Sequence, residues 1–133
     1  MKKKTSVPFE FVLEQLYSVD VEIRPMFGCF ALYVKNKIVL ILRKKMNFIT
    51  DNGVWLATNK EHHNSLKQLF PSMRSIKVFG SKESNWQNLP DDANDFEEMV
   101  LQACELIRRG DNRIGRETRA KARRKKNTKT KKG

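Results

Sequence analysis

No stretch of this chain approaches the roughly 18 consecutive apolar residues that a membrane-spanning helix needs. The longest apolar run, Ile38 to Leu42, is only strand-sized. The basic start, Met1-Lys2-Lys3-Lys4, is followed by no apolar segment, so a secretory signal is not expected. Cysteine is scarce: Cys29 and Cys104 lie far apart without a C-x-x-C pair, which argues against a disulfide framework or a zinc motif and for two reduced, packed thiols. The six glycines are scattered, and none forms a phosphate-cradling G-x-G-x-x-G or G-x-x-x-x-G-K loop. No nucleophile elbow or other local catalytic signature appears. A soluble cytoplasmic protein without metal or cofactor is the expectation, and an enzyme ranks third among the functional readings.

What the chain does have is charge, unevenly placed. Its 133 residues carry 27 Lys and Arg against 15 Asp and Glu, a net charge of +12. From Thr118 to Gly133 there is no acid at all, but nine bases: Arg119, Lys121, Arg123, Arg124, Lys125, Lys126, Lys129, Lys131 and Lys132. Between Thr5 and Glu117 bases and acids balance at 15 each. The excess therefore belongs to the two ends. With only Ala120 and Ala122 as apolar residues, the C-terminal segment cannot offset the entropy of ordering itself, and it reads as a disordered polyanion-binding arm. Such an arm binds DNA or RNA backbones by displacing counterions, with little sequence preference; nine engaged cations would give a log–log salt slope near about −8. A solubility tail is the competing reading. The expected organisation is a basic arm over residues 1–8, one α+β domain over 9–110 and a basic tail over 111–133.

Apolar periodicity orders the domain. Phe9, Val12, Leu13, Leu16 and Tyr17 fall on one helical face, with Pro8 at its start. Val21 to Pro25 alternates as a half-buried strand, Gly28 interrupts, and Cys29 to Val34 and Ile38 to Leu42 form a hairpin across Lys35-Asn36-Lys37. After the Asp51-Asn52-Gly53 turn, Val54 to Ala57 reads as a short strand or extended segment. Thr58 to Glu61 has capping-box spacing for a second helix that Pro71 ends. Ile76 to Phe79 and Trp86 to Leu89 are two further short strands. Asn94 is expected to cap a last helix whose stripe runs from Phe96 to Ile107 and closes at Gly110.

Arg24-Pro25-Met26-Phe27-Gly28 leading into a hairpin, the later Trp86-x-x-Leu89-Pro90 and an acidic closing helix together resemble the N-terminal domain of the TfoX/Sxy family over roughly Phe9 to Arg109. The resemblance implies an α-β(3)-α-β(2)-α topology, an antiparallel-rich sheet with flanking helices and a shape like type III secretion chaperones. It also implies a regulatory role in bacterial competence, beside a DNA-bound transcription factor. Here Cys29-Phe30-Ala31 follows the M-F-G segment, and a basic tail stands where full-length members carry a helical domain.

Few other residues suggest chemistry. Arg24, Met26, Phe27 and Gly28 read either as a recognition edge or as structural, with Gly28 supplying a backbone conformation and Met26 or Phe27 turned inward. His62 and His63, adjacent on a helix, point about 100° apart and cannot chelate one ion from one face; His62 is expected on the apolar side and His63 in solvent. Asp91 and Asp92 read as helix-start signals rather than an acid/base pair. Trp55 and Trp86 are either core or interface anchors. The leading expectation is a non-enzymatic binding or regulatory protein whose body meets a protein partner and whose tail meets nucleic acid. The runner-up is a protein-interaction module, homodimeric or not, with an incidental tail.

Overall fold

Two tight hairpins build the first half of the sheet. In the computed structural model, which describes residues 7–80 and 84–117, strands β1 (Glu22–Met26), β2 (Cys29–Val34) and β3 (Lys37–Arg43) run antiparallel in sequence. Each turn has only two residues, Phe27-Gly28 and Lys35-Asn36, and all four have positive φ. That backbone matches the strand twist, which is why such turns favour Asn and Gly. Between Leu32↔Leu40 and Tyr33↔Ile38 the register shifts, leaving Val39 as an extra residue on β3. The bulge turns Val39 and Leu40 to one side of the sheet, whereas Ile38 and Ile41 face the other.

β4 (Gly53–Ala57) pairs β3, and β6 (Trp86–Pro90) pairs β4; the two-residue β5 (Arg74–Ser75) closes that edge. Gly53 has no alternative. Its φ is +147°, and a Cβ there would lie 2.2 Å from the Leu89 carbonyl oxygen. Helices α1 (Phe11–Gln15), α2 (His63–Leu69) and α3 (Phe96–Arg108) pack on one face only, placing Val12, Leu66, Val100 and Ala103 against Leu40, Leu42, Val54 and Leu56. The class is α+β with an antiparallel sheet, as expected. The order adds to the α-β(3)-α-β(2)-α plan a full fourth strand at Gly53–Ala57 and a seventh, β7 (Arg116–Glu117), which pairs β3.

Several local expectations are corrected. Residues 111–117, assigned to the tail, belong to the body: Ile114 is buried in the core and Arg116 pairs with Ile38. Val7, assigned to the N-terminal arm, packs on the same core. Residues 76–79 form no strand, because the Lys77 and Val78 amides donate to the Asp51 carboxylate instead of a neighbouring strand. α2 starts only at His63, after a single 3-10 turn at Lys60–His62, with no side-chain cap; Thr58 is buried instead of capping. Asp95, not Asn94, occupies the cap position of α3. Tyr17, expected on the buried stripe, is exposed, because α1 ends at Gln15 and the chain tightens into a 3-10 turn. The histidines are reversed: His63, three residues before Leu66, is buried and His62 is half-buried. Among the described residues no helix is long and apolar enough to cross a membrane.

Candidate functional site

The face of the sheet away from the helices is apolar too. Cys29, Ala31, Tyr33, Ile38, Ile41, Trp55 and Ala57 cluster there, covered in part by Ile76 and Val78 from the segment after β5. Where that cover stops, a cleft of about 390 Å³ opens. Ile41 and Trp55, paired in register on β3 and β4, contribute to its lining. Met26, Phe27 and Cys29 join from the β1–β2 turn, and Val78, Phe79 and Trp86 from the stretch between β5 and the start of β6. The volume falls in the range of small-ligand sites.

Two of these aromatics are held out in water. Phe27 is 90% exposed and Phe79 80%. Phe27 does so at φ +51°, a conformation costly for a bulky side chain. Trp55 is buried, with its indole N–H donating to the Asp51 carbonyl at 2.8 Å, and its ring centroid lies 6.0 Å from that of half-buried Trp86. Trp55 is thus a core residue with a cleft-lining surface.

The remaining lining is cationic: Arg43 and Lys45 line the cleft, and among the described residues no carboxylate does. Buried Arg43 donates to the carbonyls of Phe48 and Asn47 and to Asn52 Oδ1, at 2.8–3.0 Å. Lys45 Nζ reaches across the hairpin turn to the Phe27 carbonyl at 3.2 Å. All of these acceptors are neutral, so none of these bonds cancels either positive charge. Burial pushes the Cys29 thiol above its ordinary pKa, opposed by Arg43 and Lys45, which leaves it protonated and a poor nucleophile at neutral pH.

Two buried residues hold the surroundings in place. Asn52 accepts from Arg43 and from the Lys45 amide, and donates to the Lys45 carbonyl, tying residues 43–52 together. The Asp51 carboxylate, 1% exposed, accepts from the Lys77 and Val78 amides at 2.9 and 2.7 Å and from Arg74 at 3.2 Å. It fixes the backbone that displays Phe79.

Of the sequence-selected residues, the structure brings Met26, Phe27, Trp55 and Trp86 into this one cleft. Arg24 stays outside it, exposed, bonded to Glu22 at 3.0 Å and stacked 4.5 Å over the Tyr33 ring. Gly28 completes the hairpin turn, and Pro90, buried, ends β6 opposite Gly53. Asp91 pairs with Lys44 at 2.5 Å. The nine tail cations, Arg119 through Lys132, lie outside the described residues, as do Lys2, Lys3 and Lys4. Phe79, Arg43, Lys45 and Asp51 were not singled out from the sequence. The one signal available was the Asp51-Asn52-Gly53 turn, whose aspartate proves to hold a distant loop.

A second, more polar groove of about 510 Å³ runs beside the end of α3, with Asp20, Lys35, Lys37, Arg108 and Asp111 among its lining. Among the described residues no three His, Cys, Asp or Glu side chains are grouped to hold a metal ion. No family model matches the chain, and comparison with curated proteins and with solved structures gives no significant match.

Proposed function

We propose that this chain is a non-enzymatic binding protein of the cytoplasm, held on nucleic acid by its last 16 residues and regulatory in role. The observation that carries the reading is the segregation of charge: 15 bases against 15 acids from Thr5 to Glu117, then nine bases and no acid. A balanced body has little net attraction to a polyanion, whereas a dense cationic segment releases counterions wherever phosphates are. The body ends in β7, from which that segment departs at the sheet. The cleft supports binding over catalysis, since among the described residues it offers apolar surface and fixed cations but no carboxylate, histidine or hydroxyl for proton transfer. The TfoX/Sxy resemblance of Arg24 to Gly28 and Trp86 to Pro90 supports a setting beside a DNA-bound transcription factor.

The test is fluorescence anisotropy with a labelled duplex, comparing the full chain with one ending at Glu117 at two salt concentrations. The full chain should bind with a log–log salt slope of about −8 and the shortened chain far more weakly. Equal binding by both would remove the tail from the mechanism.

A further inference from the structure

We propose that the aromatic cleft takes unpaired bases of single-stranded nucleic acid, stacking them on Phe27 and Phe79 above the Trp55–Trp86 pair while Lys45 meets the adjoining phosphate. The inference rests on the nucleic-acid reading above and adds to it a strand-selective site on the body.

Three observations converge on this ligand. The first is surface chemistry: the cleft combines four aromatic side chains with two cations whose partners are neutral oxygens, and among the described residues its lining has no acid. Flat π faces beside fixed positive charge match a strand that alternates bases with phosphates. In a duplex the base faces are already stacked on one another, so only an unpaired base offers a face to Phe27 or Phe79. The second is strain. Phe27 occupies a turn position where Asn or Gly would be less costly, and the side chain so displayed is almost wholly in water at the mouth of the cleft. The third is reach. Glu117, where the tail departs, pairs with Lys37 at one end of β3, and Arg43 in the cleft lining stands at the other end, about 20 Å away at 3.3 Å per residue. Sixteen residues span up to about 50 Å, so tail and cleft can engage one strand together.

Trp55 and Trp86 are the only tryptophans in the chain, so intrinsic fluorescence reports on the cleft alone. The experiment titrates the full chain with a 12-nucleotide oligothymidylate, with a duplex of equal length, and with a peptide rich in Glu and Phe. Anisotropy reads binding in parallel with tryptophan emission. The single strand should quench emission and the duplex should bind without quenching. Phe79→Ala, at an exposed position, should weaken single-strand binding about tenfold and abolish the quench. Tyr17→Ala, equally exposed but outside the cleft, should do neither. Binding of both nucleic acids without quenching would overturn the cleft assignment and leave the tail reading standing. Quenching by the peptide equal to that by oligothymidylate would also overturn it, making the cleft a peptide site. Failure of the full chain to bind either nucleic acid would sink both proposals.

Discussion

Phe27 trades stability for display. Its φ of +51° in a two-residue turn costs an L-residue with a bulky side chain about 1 kcal/mol, and its exposed ring recovers nothing from the core. Phe27→Asn should therefore stabilise the fold by about 1 kcal/mol and raise the melting temperature by about 4 °C, readable by circular dichroism. An unchanged or lower melting point would mean that the ring is held by contacts. Asp111 gives the residue-scale pH dependence. The Arg113 side chain, bonded to it at 2.9 Å, holds its carboxyl down at about 2 against an ordinary value near 4. A depressed carboxylate stabilises the folded state above its unfolded pKa, and that stabilisation is lost as pH falls from about 4 towards 2. Allowing for solvent screening it amounts to about 1 kcal/mol, so Asp111→Asn should cost that much at pH 7 and flatten the acid limb of urea-monitored stability between pH 4 and 2. Turn residues such as Asn36 and Gly28 were legible in the sequence because positive φ selects them locally. Phe27 in the same geometry was not, because nothing local favours it.

At the scale of elements, the segment after β5 shows how one buried side chain replaces a strand. Ile76, Val78 and their neighbours have a strand's composition, but the Lys77 and Val78 amides are satisfied by Asp51, 26 and 27 residues earlier in the chain. Asp51→Ala should leave those amides without partners and destabilise the protein by about 3 kcal/mol. Hydrogen exchange resolves this effect: Lys77 and Val78 should lose protection before Leu32 and Leu40, and simultaneous loss would make the loop part of the global unfolding unit. The regular elements were easier to read. The stripe in α3 buries Met99, Val100, Ala103, Cys104 and Ile107 as its spacing requires, and burial pushes the Cys104 thiol up to about 12. The run Ile38 to Leu42 was legible as a strand, although the bulge at Val39 was not, since a bulge depends on the partner strand.

For the whole molecule, the boundary of the folded body determines what is tail. Ile114 lies in the core and β7 adds to the sheet beside β3, so a chain ending at Gly110 should lose about 2 kcal/mol in urea denaturation, whereas one ending at Glu117 should unfold like the full chain. Equal stability of the three would make residues 111–117 a mere appendage. The helices share one face, which leaves the opposite face of the sheet to be covered by loops. Among the described residues that cover is incomplete, and the cleft is what it leaves open.

Charge segregation, the α+β class, the order of most elements and the buried stripes follow from residue types and their spacing alone, because composition and periodicity act within a few residues along the chain. Which sheet face the helices cover, that Met26, Phe27, Phe79 and Trp86 meet at one cleft, and that Asp51 supports its rim were decided only in three dimensions. Those features join residues up to 60 positions apart, and no local propensity encodes a contact whose two sides belong to different elements.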